Sequence, residues 1–192
     1  MVKILIGVDE AGRGPLAGPV AIGVVSAPEN FDIKKAFPGV GDSKKVTEKK
    51  REEIYARACI YRKEGKIDFC VEFSSAQIID TVGITKAVRG CVYKGVKKLS
   101  PDTKNVHVLL DGLLHAPPEY AQQTIIRGDA SEPVISLASI VAKVSRDRLM
   151  CRRAGEFPEY SFEVHKGYGT KAHRDAIQKF GLSEMHRKTF CH

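Results

Sequence analysis

Apolar residues in the first part of the chain form short runs that are typical of buried strands. One run covers residues 2–8 and a second covers residues 20–25, and each has the length of a single strand. The connection between them is short and rich in glycine, so we expect the two strands to pair as an antiparallel hairpin. Three later segments also have strand patterns, at 66–73, 106–110 and 124–126. In the first of these, alternation predicts a half-buried strand whose buried face is made by Ile67, Phe69, Val71 and Phe73.

Longer segments between these strands have apolar residues at the spacing of one helix face. A loop with proline and glycine spans 27–42, and Ser43 or Thr47 is a candidate N-cap for the highly charged helix after it. The apolar stripe of that helix consists of Ile54, Ala58 and Tyr61. Further helices are predicted at 84–99, 133–153 and 171–180. Strands that alternate with helices after an N-terminal hairpin predict an α/β fold, with a central mixed β-sheet flanked by helices.

Acidic residues stand at the ends of three predicted strands. Asp9 and Glu10 follow the first strand, Asp111 follows the fourth, and Asp129 lies just after the fifth. Functional groups gather outside the strand ends of open α/β sheets, so these four carboxylates are expected to meet at one edge. Carboxylates held that close repel each other unless a hard divalent cation such as Mg²⁺ balances their charge. Two such ions can activate a water and stabilise the leaving oxygen of a phosphodiester.

Each acid also has a simpler interpretation. Asp-Gly is a common turn dipeptide, and Asp129 has the position of a residue that begins a loop or caps a helix. Neighbouring side chains on a strand face opposite ways, so Asp9 and Glu10 converge only if the chain bends there. The glycines that follow allow such a bend. The pattern therefore predicts a metal site and leaves ordinary turns open.

Two glycine-containing segments have a composition suited to phosphate and sugar contacts. In the first, Gly12, Arg13 and Gly14 let backbone amides and a guanidinium approach a phosphate, although a tight turn between strands is the simpler interpretation. Its spacing does not match a dinucleotide fingerprint. The second segment, HKGYGTK at 165–171, presents Tyr168 between two glycines amid cations, a composition suited to stacking on a sugar or base. A buried structural tyrosine is the alternative.

The charge balance favours a polyanionic partner. The 192 residues include 31 Lys plus Arg and 23 Asp plus Glu, a formal net charge of +8, which suits nucleic acid or an anionic membrane surface. Most of the basic side chains, a set that includes Lys143, Arg146 and Arg148 on the long helix, are expected on a solvated face. No apolar run is long enough to span a membrane and no signal-peptide pattern is present, so a cytoplasmic protein is expected. Five scattered cysteines without a Cys-x-x-Cys pair do not support a zinc knuckle and are expected to be reduced.

Seven segments, taken in order, resemble one family closely: the type 2 ribonucleases H, specifically the bacterial ribonuclease HII group. They are GVDEAGRGPLAGPV (7–20), DSKK (42–45), LLDG (109–112), RGDA (127–130), ASIVAKVSRDR (138–148), HKGYGT (165–170) and MHR (185–187). The first is highly specific by itself, and the ordered set covers nearly the whole chain. The resemblance implies a ribonuclease H-like fold, with 1–192 as a single catalytic domain that ends in a short segment at about 171–192.

The resemblance also implies which residues hold metal. The family's metal-binding acids fall on Asp9, Glu10, Asp111 and Asp129, and the implied cofactor is Mg²⁺ or Mn²⁺ in a two-metal-ion site. Asp9 and Asp111 would hold the metals, with Glu10 and Asp129 each completing one site. Asp147 is a second candidate for the fourth acid, but it sits between two arginines, and an ion pair explains it adequately.

Substrate-binding residues are implied in the same way. Gly12, Arg13 and Gly14 match the family's element around the ribonucleotide 2′-hydroxyl and nearby phosphates. Tyr168 matches a tyrosine that would stack on the deoxyribose at an RNA-to-DNA junction. Positions that look like phosphate contacts are Ser43, Lys44 and Lys143.

The implied activity is a metal-dependent endonuclease that cuts the RNA strand of RNA–DNA hybrids and cuts 5′ of single ribonucleotides embedded in duplex DNA. The expected partners are therefore RNA–DNA hybrids and ribonucleotide-containing duplexes, without a membrane, and the chain is expected to be a monomer. Many relatives continue past the MHR segment with a helical extension that helps hold substrate, whereas this chain stops at His192, which leaves its affinity for long duplexes open.

Two other classes fit the same residues. A different metal nuclease of this fold should cleave an all-DNA duplex. A non-catalytic nucleic-acid binder needs the basic surface but not four acids at strand ends, and it should show no divalent-dependent turnover.

Overall fold

A single mixed sheet forms the centre of the protein, whose computed structural model describes residues 3–41 and 46–191. Its strands are β1 (Ile4–Ala11), β2 (Val20–Pro28), β3 (Asp68–Ser74), β4 (Val106–Asp111) and β5 (Ala121–Ile125). Their order across the sheet is β3-β2-β1-β4-β5. Strands β1, β2 and β3 pair antiparallel, whereas β1, β4 and β5 pair parallel. The predicted hairpin and the predicted α/β fold with a mixed sheet are confirmed.

Helices cover both faces of this sheet. The α-helices of the described residues are α1 (Ile33–Ala36), α2 (Glu48–Lys63), α3 (Ala76–Val82), α4 (Ile84–Leu99), α5 (Gly128–Ser131), α6 (Pro133–Ala154), α7 (Phe162–His165) and α8 (Lys171–Phe180). Two 3₁₀ turns are Pro158–Tyr160 and Lys188–Phe190. The long predicted helices are confirmed, while α1, α3, α5 and α7 were not predicted because one or two turns are too short for a helical period to show. Within these residues, no helix is both long and apolar enough to span a bilayer.

The start of α2 decides between the two predicted caps. Thr47 is the N-cap, and its hydroxyl oxygen accepts the backbone N–H of Lys50 at 3.3 Å. Ser43, the other candidate, lies outside the described residues. Ile54 and Ala58 on the predicted stripe are buried.

Helix α6 lies directly on the sheet because two strand positions lack a side chain. A Cβ atom at Gly7 would lie 2.3 Å from the carbonyl oxygen of Val134, and one at Gly23 would lie 2.1 Å from that of Ala138. No side chain fits such gaps, so glycine is required at both positions for this approach. The close packing places Ser139 of α6 within hydrogen-bond reach of the Asp9 carboxylate.

Strand β3 is more buried than its alternation predicts. Phe69 is buried as expected, but Phe73 is 39% exposed, and Cys70 and Glu72 on the opposite side are also buried. The reason is α4, whose Gly95 lies close to Cys70 and Glu72 and covers that side of the strand. The half-buried strand was therefore a wrong prediction, since the sheet is covered on both faces.

Candidate active site

Two parallel strands end side by side and bring two of the predicted acids together. Strands β1 and β4 pair in register from Ile4 with Val106 to Val8 with Leu110, and Asp9 and Asp111 come next in their strands. Matching positions of paired parallel strands point to the same face. The strand register, rather than closeness in sequence, therefore places these carboxylates at one edge of the sheet.

Asp129 reaches the same edge through a tight turn after β5. Arg127 adopts a left-handed conformation, with φ at 57°, and turns the chain into the short helix α5. The backbone N–H of Asp129 donates to Oδ1 of Asp111 at 3.3 Å. Gly128 allows this turn, because a Cβ there would lie 2.6 Å from Cδ1 of Ile135. Asp129 is buried beside Asp111 as a result.

The sequence predicts that Asp9 and Glu10 converge only if the chain bends between them. The structure shows no bend at this point. Strand β1 continues to Ala11 and stays paired with β2 throughout, so the two acidic side chains leave opposite sides of the strand. Both nevertheless line one pocket. They do so because the pocket opens at the end of the sheet, where side chains from either side reach it.

This pocket has a volume of about 490 Å³ and collects the predicted site residues that the structure describes. Its lining consists of acids, the glycine-rich loop, cations and one tyrosine: Asp9, Glu10, Asp111, Asp129, Ala11, Gly12, Arg13, Gly14, Arg51, Lys143, Ser139 and Tyr168. Ser43 and Lys44, two of the predicted phosphate contacts, lie outside the described residues.

Asp9 and Glu10 are held where ionisation is disfavoured. Burial raises the pKa of Asp9 from 3.8 to about 8, with the negative charges of Glu10 and Asp111 adding to the rise and the Ser139 hydrogen bond opposing it. Burial also raises the pKa of Glu10, although Arg13 opposes this through an ion pair of 3.2 Å. A cation in this pocket would favour the ionised carboxylates.

The donor set suits a hard divalent cation. The acidic residues of the pocket offer carboxylate oxygens, and buried carboxylates that repel each other gain most from a bound cation. Among the described residues, no three Asp, Glu, His or Cys side chains form a ready ligand set by themselves. Mg²⁺ commonly uses one or two carboxylates and completes its shell with waters and substrate phosphate oxygens, so the residues present fit such an ion.

Tyr168 stands on the wall of the pocket and is not a buried core residue. Its side chain is 43% exposed, so the alternative of a buried structural tyrosine is wrong. Lys143 Nζ lies 5.6 Å from the ring centroid and 3.0 Å from a carboxylate oxygen of Asp147. Asp147 itself is not among the lining residues, and its ion pair is with Lys143 rather than with a flanking arginine.

Sequence reasoning missed several contributors to this site. Ser139 lies four positions before Lys143 on α6, and that helical spacing was a signal that both face the pocket. Arg51 stood in a basic cluster with no feature that separated it from its neighbours. Arg146 is fully buried and not on a solvated face, and Arg187 is fully buried too, because backbone carbonyls from distant segments surround their guanidinium groups.

The family profile and the curated relatives that match this chain carry the same description. The family profile described as Ribonuclease HII matches residues 6–192. A Ribonuclease HII of Bacillus cereus is 44% identical over 189 residues, which are 98% of this chain and 69% of that protein. A Ribonuclease HII of Coxiella burnetii is 42% identical over 191 residues, covering 97% of this chain and 88% of that protein.

Solved structures share the fold at lower identity. The ribonuclease H2 of Pyrococcus horikoshii OT3 superposes with a TM-score of 0.76 at 24% identity, covering 97% of this chain and 93% of that one. Bst-RNase HIII in complex with Mn²⁺ superposes with a TM-score of 0.73 at 15% identity, covering 98% of this chain and 67% of that one.

Proposed function

The chain belongs to the ribonuclease HII family and is a ribonuclease H, and we propose that it is a metal-dependent endoribonuclease of RNA–DNA duplexes. In this proposal it hydrolyses the RNA strand of RNA–DNA hybrids and cuts 5′ of single ribonucleotides in duplex DNA, leaving 3′-hydroxyl and 5′-phosphate ends. The observation that carries the proposal is the meeting of four acids from three strand ends in one pocket with cations and a tyrosine.

Asp9 and Asp111 are proposed to hold two divalent cations, Mg²⁺ or Mn²⁺, with Glu10 and Asp129 each completing one site. Bound ions of this kind lower the pKa of a water and stabilise the leaving oxygen of a phosphodiester. The hydrogen bond of Ser139 to Asp9 favours the ionised carboxylate that such a site needs. The Mn²⁺ complex of Bst-RNase HIII, which has the same fold, supports the choice of an ion of this class.

The cations and the tyrosine of the same pocket are proposed to bind the substrate strand. Arg13, Arg51 and Lys143 are among its lining residues and offer cations to phosphate oxygens, and the guanidinium of Arg13 suits bidentate binding. Tyr168 presents an exposed ring on which a deoxyribose at an RNA-to-DNA junction would stack. The 2′-hydroxyl is the group that tells RNA from DNA, and the Gly12–Gly14 loop is proposed to contact it.

The test uses a DNA duplex that carries one ribonucleotide and a matched all-DNA duplex, each incubated with Mg²⁺, with Mn²⁺ or with a chelator. We expect one cut, 5′ of the ribonucleotide, only when a divalent cation is present. Cleavage of the all-DNA duplex would favour a different nuclease of this fold, and the absence of turnover in every condition would favour a non-catalytic binder.

An Asp111→Asn variant tests the metal site more narrowly. It removes one charge from the proposed metal ligands while keeping the side-chain oxygen that accepts the Asp129 N–H. We expect turnover in Mg²⁺ to fall by about 100-fold or more, the scale seen when one electrostatic group is removed from an active site, while substrate binding persists. Cleavage at the wild-type rate would remove Asp111 from the mechanism.

A further inference from the structure

The C-terminal segment at 185–187 is bound to the glycine-rich loop through the backbone. The N–H of Gly18 donates to the carbonyl of Met185 at 2.8 Å, and the N–H of Arg187 donates to the carbonyl of Leu16 at 2.8 Å. Between these bonds, Ala17 and His186 form an isolated antiparallel bridge. The end of the chain is thereby fixed against the loop that lines the active-site pocket.

The side chain of Arg187 runs beneath this loop and binds its carbonyl groups. Nε donates to Gly18 at 2.9 Å, Nη1 donates to Arg13 at 2.8 Å and Nη2 donates to Gly12 at 2.6 Å. The side chain is fully buried, where an arginine usually faces a carboxylate. Here backbone carbonyls satisfy it, and among the described residues it forms no ion pair.

A second buried arginine supports the same loop from α6. Arg146 donates to the carbonyls of Pro19, Ala17 and Lys166 at 2.9, 3.2 and 2.9 Å. Its side chain passes so close to Gly12, where φ is +86°, that a Cβ there would lie 1.9 Å from Nε. The two guanidinium groups therefore bind loop carbonyls in two runs, at 12–13 and at 17–19.

Because the peptide bond is planar, loop carbonyls that point inward leave the N–H groups of the same peptide units pointing outward. The carbonyl and the N–H of a trans peptide point in opposite directions, and the described chain contains no cis peptide bond. Because the carbonyls of Gly12 and Arg13 point at Arg187, the N–H groups of Arg13 and Gly14 point away from it. Among the described residues, neither N–H donates to a backbone acceptor, and both residues line the pocket. Successive free N–H groups of this kind form a concavity that binds oxygen anions.

We propose that Arg187 is a positioning residue for ribonucleotide recognition, which holds the Gly12 and Arg13 carbonyls inward so that the Arg13 and Gly14 N–H groups face the substrate. The inference rests on the function proposed above and names the 2′-hydroxyl and its adjoining phosphate as the groups these donors meet. The guanidinium also places a positive charge behind the loop, which favours a phosphate oxygen. Lysine does not replace it, because one ammonium lacks the planar fork that reaches three carbonyls.

The test compares the wild type with Arg187→Lys and with Arg62→Lys as a matched control. Arg62 is half exposed and pairs with Asp68 at the far edge of the sheet. For each protein we would measure kcat and KM on a duplex with one ribonucleotide, the inhibition constant of the matched all-DNA duplex, and the melting temperature. We expect Arg187→Lys to raise KM about tenfold, the value of one or two lost hydrogen bonds, with a smaller rise in the inhibition constant of the all-DNA duplex, which keeps the phosphate but lacks the 2′-hydroxyl. The control should match the wild type.

The outcomes separate this inference from the proposed function. If the wild type fails to cut at the ribonucleotide, the proposed function is wrong. If the wild type cuts there and Arg187→Lys has an unchanged KM, or weakens both duplexes equally, only the inference is overturned. Should Arg187→Lys not fold, amide hydrogen exchange of the wild type decides. Arg13 and Gly14 amides that exchange freely and gain protection only with the ribonucleotide duplex support the inference, whereas protection in the free protein overturns it.

Discussion

Replacing Asp9 by asparagine should change how the stability of the metal-free protein depends on pH. The new side chain keeps an oxygen to accept the backbone N–H of Glu10, which Asp9 Oδ1 accepts at 2.7 Å, and its amide can donate to Ser139. The variant therefore preserves the shape and the hydrogen bonds of the site. What it removes is a carboxylate that is 5% exposed.

The size of the effect follows from the pKa of Asp9. Burial raises that pKa from 3.8 to about 8, so between these values the folded protein keeps a proton that the unfolded chain has released. Stability is therefore greatest at low pH and falls as pH rises toward 8. At about 1.4 kcal/mol for each pKa unit, the fall between pH 6 and pH 8 is about 2 kcal/mol. For a chain of this length that is about 4–8 °C in melting temperature.

The assay is thermal unfolding of the wild type and Asp9→Asn in EDTA at pH 6, 7 and 8. Other titrating groups are common to both proteins, so the difference between the two melting temperatures isolates Asp9. We expect the variant to gain about 4–8 °C relative to the wild type over this range. Saturating Mg²⁺ should remove much of the wild-type fall, because a bound cation favours the ionised carboxylate in place of the proton. If the melting temperatures of the two proteins change in parallel with pH in EDTA, the raised pKa of buried Asp9 does not control this pH dependence.

Two further changes test the exposed tyrosine of the site and the buried histidine pair. Tyr168→Ala should lower kcat/KM at a lone ribonucleotide by about 5- to 100-fold, the scale of one lost stacking contact, and should leave the melting temperature nearly unchanged because the ring is 43% exposed. Equal losses in activity and stability would instead indicate a structural role. His186→Gln should reduce the loss of stability at acid pH. The reason is that burial, with a contribution from His173, lowers the pKa of His186 to about 4. The unfolded chain therefore takes up a proton below pH 6.5 that the folded protein excludes, and stability falls with falling pH. The urea midpoints of the wild type and the variant at pH 5 and pH 7 measure this. If the midpoint changes between the two pH values by the same amount in both proteins, the prediction is wrong.

The close contact between His186 and His173 adds to burial in excluding that proton. Their Nε2 atoms lie 3.0 Å apart, and His173 Nδ1 lies 2.9 Å from the carbonyl oxygen of Tyr168. Since the carbonyl accepts only, His173 carries its proton on Nδ1 and accepts from His186 on Nε2. The Nδ1 atom of His186 in turn accepts from the backbone N–H of Ser183. An additional proton on His173 Nε2 would face the N–H of His186, and one on His186 Nδ1 would displace the Ser183 N–H and have the Ser183 hydroxyl, 2.9 Å away, as its acceptor.

Local pattern was sufficient for much of the fold. The helices at 84–99 and 171–180 were predicted with the bounds that the structure shows, because their apolar spacing is regular over several turns. The N-terminal hairpin followed from two apolar runs and a short turn. By contrast, α5 and α7 each have four residues, and tertiary contacts rather than local periodicity hold them.

The candidate site divides in the same way. Acids at strand ends and glycines around Arg13 are visible in a linear sequence, because the chemistry of a side chain is written in its residue type. The role of Ser139 depends on the Asp9 carboxylate beside it, and the role of Arg187 depends on backbone carbonyls up to 175 positions away.

The amino-acid sequence by itself determined the kind of chemistry available to this protein, namely oxygen ligands, cations and a tyrosine on an α/β scaffold. Only the tertiary structure decided that β1 and β4 end in register, that α6 rests on two glycines, and that buried arginines turn the loop's N–H groups outward. The physical reason is that residue type sets what a group can bind, whereas burial and direction arise from packing between distant segments.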